Sequence, residues 1–343
     1  MATTPETARR ATIKDVAKAA GVTPTTVSRY LNKRSYVSET AAARIVKAME
    51  DLHYTPSQAA RSLVTQRTNV IIYVVRGSLS LITQDPGLSS HYAAAAAALA
   101  EHNYQVLCMV VNDAAAMHRL QRLVDERFAD GYMYFPGNDD DPILRIFAAG
   151  PSPAVTAGKW AVESPRLYAV VNDNRSAMRD ITRYMLGQGR RKLAYVTGPD
   201  DIRFARKRLH GFRDAMAEYP DAMVPCIVHA PDWSEGAADA VWEQLAPALG
   251  SIDGIVAAND QLAAGIIRHL QSHGLHVPND MPVTGFDNAE VSRTRTPQIT
   301  TVDQNLERYG RYMAQTMVAA LKGETPPEAI TSVPTRLIIR ESA

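Results

Sequence analysis

The stretch "TIKDVAKAAGVTPTTVSRYLN", Thr12–Asn32, decides how the first part of this chain folds. Its first half places apolar residues at the i, i+3, i+4 and i+7 spacing that forms one face of a helix. These residues are Ile13, Val16, Ala17 and Ala20. Gly21 follows where a left-handed residue ends a helix, and Pro24 then suits the first position of a second helix. With a third helix expected after Ser38, the spacing predicts a helix-turn-helix.

The second helix of this motif presents mostly hydroxyls and one arginine. Val27 and Leu31 can face inward, because they stand four residues apart. The residues left outward are Thr25, Thr26, Ser28 and Arg29. Hydroxyl and guanidinium groups bind phosphates and the edges of bases. The sequence therefore favours a helix that presents this face to a partner, although a merely solvated surface would show the same residues.

Charge is distributed unevenly along the chain, whose 343 residues carry a formal net charge of +1. Residues 1–68 hold eleven Lys and Arg against five Asp and Glu, a net +6, and the remainder holds 26 against 31, a net −5. A basic segment before a mildly acidic body indicates that the segment meets a polyanion. Charge alone is equally compatible with a soluble helical cap.

Composition and motifs argue against several classes of protein. A membrane span and a secretory signal are not expected, since no run of 18 apolar residues occurs and the first residues are polar; the predicted location is the cytoplasm. Cys108 and Cys226 lie far apart and are expected to be buried reduced thiols. HExxH, GxSxG and Walker motifs are absent, so we expect no enzyme, cofactor or metal. The acids of "GNDDDP", Gly137–Pro142, could suggest a cation site, but a solvated loop is the simpler interpretation.

From "NVIIYVV", Asn69–Val75, onward, short apolar strands alternate with helices, which predicts parallel sheets covered by helices on both faces. Ligands of such sheets bind beyond the carboxyl ends of the strands. Asn259 follows a strand expected to end at Ala258, and Asp287 follows one expected to end at Phe286. Both side chains are therefore expected at the same edge of one sheet.

Several segments together resemble the lactose/galactose repressor (LacI-type) family of bacterial transcription regulators. They are "TIKDVAKAAGVTPTTVSRYLN", "VSETAAARIVKAMEDLHYTPSQAARSL", "IVAANDQLAAG", "VTGFDNAE" and "ITTVDQNLERYG". The match runs from residue 12 to residue 341, with the motifs in the family's order. The resemblance implies an α/β protein with an N-terminal helix-turn-helix domain and a two-lobed, periplasmic-binding-protein-like domain of doubly wound parallel sheets. It also implies a DNA-binding regulator that responds to an effector.

The same resemblance implies DNA contacts for named residues of the helix-turn-helix. Pro24, Thr25 and Arg29 match the base-reading positions, and Thr23, Ser28, Tyr30 and Asn32 are better placed for phosphates. The implied DNA-binding set is Thr12, Thr23, Pro24, Thr25, Thr26, Ser28, Arg29, Asn32, Tyr54, Ala60 and Leu63. Because Pro24 has no N–H and cannot hydrogen-bond a base through its ring, the operator sequence does not follow from this helix.

The segment "SQAARSL", Ser57–Leu63, resembles the family's hinge helix, with Ser57 where asparagine is common; either residue can cap a helix. The resemblance implies that Leu63 is inserted at a central minor-groove step with Ala60 packed beside it. Unstacking the bases costs a few kcal/mol and is offset by contacts that the bend permits. The alternative is that Leu63 is an ordinary apolar linker residue.

For the body, the resemblance implies an effector site. The implied residues are Asp85, Arg208, Trp233, Asn259 and Asp287. A cation, polar clamps and an aromatic face suit a pyranose, so the expected effector is a small carbohydrate. Two alternatives stay open: Trp233 fills a core, or Arg208 and Asp287 pair only with each other.

The first lobe departs from the family after its first strand. Many members have an aromatic pair there, whereas this chain has the longer "RGSLSLITQDPGLSSHY", Arg76–Tyr92. His91 and Tyr92 are the only ring-bearing residues expected near the site from this loop.

The predicted domains are an arm at 1–11, a helix-turn-helix at 12–54, a hinge helix and linker at 55–68, and an effector domain at 69–343. Its first lobe is expected at about 69–171 plus 303–329, and its second at about 172–302 plus 330–343. The expected function is a homodimeric repressor that binds a palindromic operator, double-stranded DNA, and is released by a small sugar. The alternatives are a corepressor-dependent regulator of the same fold, and a sugar-binding module or enzyme whose helix-turn-helix is silent.

Overall fold

The structure is a computed structural model that describes residues 11–32, 36–55, 67–77, 86–135, 141–199, 202–324 and 330–343. The chain divides into two compact units. Met1–Thr68 is called the head below, and Asn69–Ala343 is called the body.

The described part of the head contains a helix-turn-helix followed by a third helix. The helices are α1 (Ile13–Ala20), α2 (Pro24–Asn32) and α3 (Glu39–Asp51). Thr12 and Asp15 form a capping box at the start of α1, in which the backbone N–H of Thr12 donates to the Asp15 carboxylate at 2.8 Å. Gly21 ends α1 in the left-handed region, at φ +61°, where a side chain would be strained. Three residues, 21–23, therefore suffice to connect α1 to α2.

A small apolar core holds the three helices together. Its buried members are Val16, Ala17, Ala20, Val27, Ile45 and Ala48. Three of them belong to the α1 stripe that the spacing predicted, and Val27 is the buried position of α2. Because Val27 is fully buried, its neighbours on the opposite side of α2 are left on the surface.

The body consists of parallel sheets and the helices that cover them. Its strands are β1 (Val70–Arg76), β2 (Gln105–Val111), β3 (Gly131–Tyr134), β4 (Ala154–Ala157), β5 (Leu167–Val171), β6 (Leu193–Thr197), β7 (Ile227–His229), β8 (Gly254–Ala257), β9 (Val283–Thr284), β10 (Thr301–Asp303), β11 (Ile330–Ser332) and β12 (Arg336–Ile338). Its α-helices are α4 (Pro86–Ala100), α5 (Ala114–Asp125), α6 (Pro142–Ala149), α7 (Asn174–Gly187), α8 (Arg203–Ala217), α9 (Ala238–Leu245), α10 (Asp260–Ser272), α11 (Val291–Thr294) and α12 (Leu306–Lys322).

The first lobe is built on a six-stranded sheet in the order β11-β5-β4-β3-β1-β2, in which every neighbouring pair is parallel. Tyr73 of β1 stands opposite Cys108 of β2 and Met133 of β3. Helices α4 and α12 pack on one face through Leu99 and Met313, and α5 and α6 cover the other. Apolar packing on both faces is the doubly wound arrangement expected of near-continuous apolar strands.

The second lobe has a four-stranded parallel sheet in the order β7-β6-β8-β9. An antiparallel pair, β10 with β12, lies beside it and is joined to it by a bridge between Thr284 and Thr300. Ile255 faces a cluster with α9 and α10, and Val256 faces the opposite cluster with α7 and α8. Neighbouring strand residues thus point to opposite covered faces of this sheet.

The lobe boundary predicted at residue 330 is wrong by a few residues. Strand β11 pairs with β5 in the sheet of the first lobe, with Ile330 opposite Ala169. The chain returns to the second lobe only at β12, where Leu337 stands opposite Val302. A three-residue strand leaves little periodicity to read, so its partner sheet could not be inferred from the sequence.

Two further expectations are corrected. Cys108 is exposed and Cys226 is half-buried, rather than both being buried, because Cys108 lies on β2 at the edge of its sheet. Asp141, expected in a solvated loop, is buried: it caps α6 by accepting the N–H of Ile143 at 3.0 Å and pairs with Arg76 at 2.9 Å. The preceding acids lie outside the described residues.

Of the helices described, none is both long and apolar enough to span a membrane.

Candidate functional site

The outward face of α2 is the candidate DNA-reading surface. Thr25 and Arg29 are exposed and stand four residues apart, so they lie one above the other on the helix. Thr23 caps the helix through its hydroxyl, which accepts the N–H of Thr26 at 3.2 Å and lies 2.9 Å from the Thr26 hydroxyl. Pro24 is exposed at the first helical position. Pro24 and Thr25 are thus exposed in the first turn of α2, and Arg29 is exposed on the same face in its last turn.

The other predicted DNA contacts lie in different environments. Ser28 is half-buried, and Asn32 is the last residue of α2. The Thr12 hydroxyl donates to Asp15 at 2.7 Å in the capping box, so its first role is structural. Tyr54 packs against the core of the head. The predicted hinge residues Ala60 and Leu63, with Ser57, lie outside the described residues.

The candidate effector site is a cleft between the two lobes of the body, at the carboxyl ends of their strands. It encloses about 860 Å³, part of which is open to solvent. Arg208, Trp233, Asn259 and Asp287 all line it. The structure therefore brings together four of the five effector residues predicted from the sequence, and the fifth, Asp85, lies outside the described residues.

Arg208 is the centre of a closed hydrogen-bonded circuit of side chains, called here the polar circuit. Its members are Arg208, Asn174, Asn172, Gln304 and Asp287. The Arg208 guanidinium donates to Asn174 at 2.8 Å and to Asp287 at 3.0 Å. Asn174 donates to Asn172 at 2.8 Å, Asn172 donates to Gln304, and Gln304 donates to Asp287 at 2.5 Å. Arg208 and Asp287 therefore do not pair only with each other.

The polar circuit joins segments at which the chain crosses between the lobes. Asn172 and Asn174 follow β5 of the first lobe, whereas Gln304 stands between β10 and α12. Asp287 has a φ of +103°, a conformation that costs a non-glycine residue about 1–3 kcal/mol and persists where the surroundings hold it. Here the hydrogen bonds from Arg208 and Gln304 hold the carboxylate. Strain at this position is typical of a functional site.

Asp260 and Asp287 lie close together but differ in burial and in what they contact. Asp260 is fully buried, and burial together with the negative charge of Asp287 raises its pKa well above the usual value. Its oxygens accept hydrogen bonds from the Thr301 hydroxyl at 2.6 Å and the Ala289 N–H at 2.7 Å. Asp287 is the carboxylate that faces Arg208 and the cleft.

Asn259 and Trp233 are positioned by each other and by α10. The Asn259 oxygen caps α10 by accepting the Leu262 N–H at 2.9 Å, and its amide donates to the carbonyl of Trp233 at 2.9 Å. The indole lies against Phe204, with ring centroids 5.0 Å apart. A Cβ on Gly198 would meet this indole at 2.3 Å, so only glycine leaves room for it. Trp233 is thus a wall of the cleft as well as a packing residue.

Sequence reasoning missed several residues of the cleft. They are Phe135, Trp160, Asn172, Asn174, Phe204, Gln304 and Tyr309. The rule that ligands bind beyond strand ends would have found Phe135 after β3 and Asn172 after β5. Trp160 follows β4, which was not predicted. The first lobe therefore supplies aromatic rings from the ends of its strands rather than mainly from the segment 76–92. Of the two rings expected from that segment, His91 lines the cleft, whereas Tyr92 packs edge-on against Tyr73.

Comparison with known proteins matches both parts of the chain. Residues 12–57 match the bacterial regulatory proteins of the lacI family, and residues 182–343 match the periplasmic binding protein-like domain. The HTH-type transcriptional regulator CelR of Thermobifida fusca is 29% identical over 338 residues, which cover 98% of this chain and 99% of CelR.

Solved structures agree with these matches. A CelR–cellobiose complex has a TM-score of 0.74 and 26% identity, covering 97% of this chain and 100% of that one. The lac repressor dimer bound to operator and the anti-inducer ONPF has a TM-score of 0.84 at 22% identity, covering 97% and 99%. The latter likeness shows the fold alone.

An N-terminal helix-turn-helix followed by a two-lobed, periplasmic-binding-protein-like body defines a DNA-binding transcriptional regulator. This chain joins a lacI-family helix-turn-helix to a periplasmic binding protein-like domain, and relatives that it matches over nearly their whole length are HTH-type transcriptional regulators. Both the family resemblance and the fold class predicted from the sequence are confirmed.

Proposed function

We propose that this regulator is a repressor that binds a palindromic operator as a homodimer and is released when a small sugar binds in the cleft. The cleft carries the proposal, because it combines aromatic walls with the polar circuit in the same chain as a recognition helix. The relative CelR has been solved as a complex with cellobiose, which supports a sugar as the effector. Since operator DNA lies in the bacterial cytoplasm, the protein would act there.

The aromatic walls and the polar circuit of the cleft suit a sugar. Phe135 and Trp160 from the first lobe, and Phe204 and Trp233 from the second, offer flat apolar surfaces to the C–H faces of a pyranose. Asp287 and the other members of the polar circuit offer donors and acceptors to its hydroxyls.

Gly198→Ala tests whether Trp233 is a sugar platform. The added methyl would meet the indole at 2.3 Å, so the ring must move, and we expect about tenfold weaker sugar binding with unchanged DNA affinity. The measurement is isothermal titration of the full chain with the tightest-binding of several uncharged sugars, with tryptophan fluorescence reporting the ring.

Gly187→Ala is the matched control, since a Cβ there has nothing within 4 Å among the described atoms. Equal sugar affinity in both variants, despite a changed fluorescence spectrum, would remove Trp233 from the binding surface.

Release requires that the sugar binds two states of the body with different affinity. Closure of the cleft on a sugar would rotate the first lobes, separate the two hinge segments that hold Leu63 and Ala60, and weaken DNA binding. A coupling of about 1–3 kcal/mol is typical of such a switch. The polar circuit lies at the crossovers between the lobes. A sugar hydroxyl that bonds to Asp287 would therefore contact the side chains that join the two crossover segments.

Two other functions are compatible with parts of this description. In a corepressor-dependent regulator the ligand would tighten DNA binding. In a sugar-binding module with a silent head, DNA would not be bound specifically. The exposed Thr25 and Arg29 on α2 favour an active head over a silent one.

The deciding experiment selects duplexes from a random pool with the full chain, then measures affinity in a salt series with and without glucose, cellobiose, maltose and ribose. We expect a palindromic site, a steep loss of affinity with salt and release by at least one sugar. Tighter binding with a sugar would indicate corepression. Failure to enrich any sequence would show that the head is silent.

A further inference from the structure

His91 is a buried histidine in the wall of the effector cleft. It lies on α4, is 4% exposed and lines the cleft together with Phe135 and Tyr309. The imidazole packs against both of these rings, at centroid distances of 5.4 Å and 4.6 Å. Its backbone is fixed as well, because α4 approaches α12 so closely that a Cβ on Gly310 would meet the His91 carbonyl at 2.4 Å. The side chain is therefore held in one place by the fold.

The hydrogen-bonding capacity of this imidazole is not used within the described part of the chain. Neither ring nitrogen has a hydrogen-bond partner among the described residues, although both are buried. The one hydroxyl on the adjacent rings belongs to Tyr309, and it donates to the carbonyl of Val170. Buried polar atoms without partners are rare and costly in native proteins, and a bound ligand that supplies the missing partner removes this cost.

The imidazole is also uncharged. Burial lowers the pKa of His91 to about 3, so the ring is neutral at physiological pH. A neutral imidazole offers one N–H donor and one acceptor nitrogen. A hydroxyl group can both give and take a hydrogen bond, which makes it the natural partner; a carboxylate or phosphate would instead favour the protonated ring.

We propose that His91 is a specificity-determining residue of the first lobe, which hydrogen-bonds a hydroxyl of an uncharged sugar held in the cleft. The inference rests on the proposed sugar response. It adds a residue of the first lobe that selects the ligand, whereas Arg208 and Asp287 belong to the second lobe. A sugar bonded to His91 and to the polar circuit would join the two lobes directly. Sites built to pair with a hydroxyl discriminate strongly against ligands that lack it.

The test uses two variants of the full chain. His91→Phe keeps an aromatic ring but removes both nitrogens, and His91→Gln keeps a donor and an acceptor. Each is titrated with glucose, cellobiose, maltose and ribose by calorimetry, and its melting temperature is measured without ligand. For His91→Phe we expect sugar affinity to fall about tenfold with DNA affinity unchanged. We also expect its melting temperature to rise by about 2–4 °C, because an unpaired buried group is lost.

His91→Gln is expected to retain most of the affinity that His91→Phe loses. The matched control is His102→Phe, which removes the same nitrogens from an exposed histidine and should change neither quantity. If His91→Phe binds sugar like the parent, or if its melting temperature falls together with its affinity, His91 is a structural residue and the inference is wrong. If the parent itself binds none of the sugars, the proposed sugar response fails, and the inference with it.

Discussion

Replacing Arg208 by alanine is expected to lower the free energy of unfolding of the body by about 3–5 kcal/mol, the usual cost of removing one partner of a buried ion pair. Arg208 is 4% exposed and donates to Asn174, to Asp287 and to the carbonyl of Ala258. Without the guanidinium, the Asp287 carboxylate loses a charged donor, and the acceptors on Asn174 and Ala258 lose the same group. Chemical denaturation of the full chain, followed by tryptophan fluorescence, measures the change.

Sugar binding should be lost in the same variant, because the guanidinium also packs on the aromatic wall. Its central carbon lies 4.0 Å from the ring centroid of Phe286, 5.1 Å from that of Phe204 and 6.0 Å from that of Trp233. Arg208→Lys keeps the charge but not the planar fork, and it is expected to restore only part of the stability.

Arg183→Ala is the matched control for stability. Arg183, like Arg208, pairs with a carboxylate, and it makes two hydrogen bonds to Glu218, at 2.6 Å and 2.7 Å, but this pair is on the surface. Exposed pairs of this kind contribute little, so the control should unfold close to the parent. Equal free energies of unfolding for the two variants would show that burial does not increase the contribution of Arg208 to stability. The polar circuit would then not be a main source of the stability of the body.

The sequence predicts best those parts of the protein that local interactions determine. The head follows from caps, one turn glycine and one apolar stripe, all within a few residues of each other, and Thr12, Gly21 and Val27 occupy their predicted places. Asn259 and Asp287 could be placed at one edge because the carboxyl ends of parallel strands lie together whatever the loop lengths.

The parts that sequence reasoning missed depend on distant segments. Asn172 and Gln304 are 132 positions apart and meet only because the chain crosses between the lobes at both. Strand β11 joins the first lobe because it pairs with β5, which its own three residues do not indicate. For His91, the sequence suggests a ring near the site, but only the packing against Phe135 and Tyr309 shows that its nitrogens are buried without a partner among the described residues.

Arg29→Ala is expected to weaken binding to the selected operator by about ten- to a hundredfold, since a bidentate contact between arginine and guanine is worth about 1–3 kcal/mol of discrimination. Arg29 is exposed on α2, four residues after Thr25, on the face opposite the buried Val27. Binding to unrelated DNA should change much less, so the ratio of specific to non-specific affinity falls. Fluorescence anisotropy with the selected duplex and a scrambled duplex, at two salt concentrations, measures both quantities.

Lys47→Ala separates base reading from charge. Lys47 is exposed on α3, so its loss removes one positive charge from the head without touching α2. If Arg29 only neutralises a phosphate, its variant loses affinity for both duplexes alike and the salt slope falls by about one. If Arg29 reads a base, the loss is confined to the selected duplex, and repeating the selection with the variant relaxes the preference at one position of each half-site. Identical behaviour of the two variants would place the determinants of operator choice elsewhere on the head.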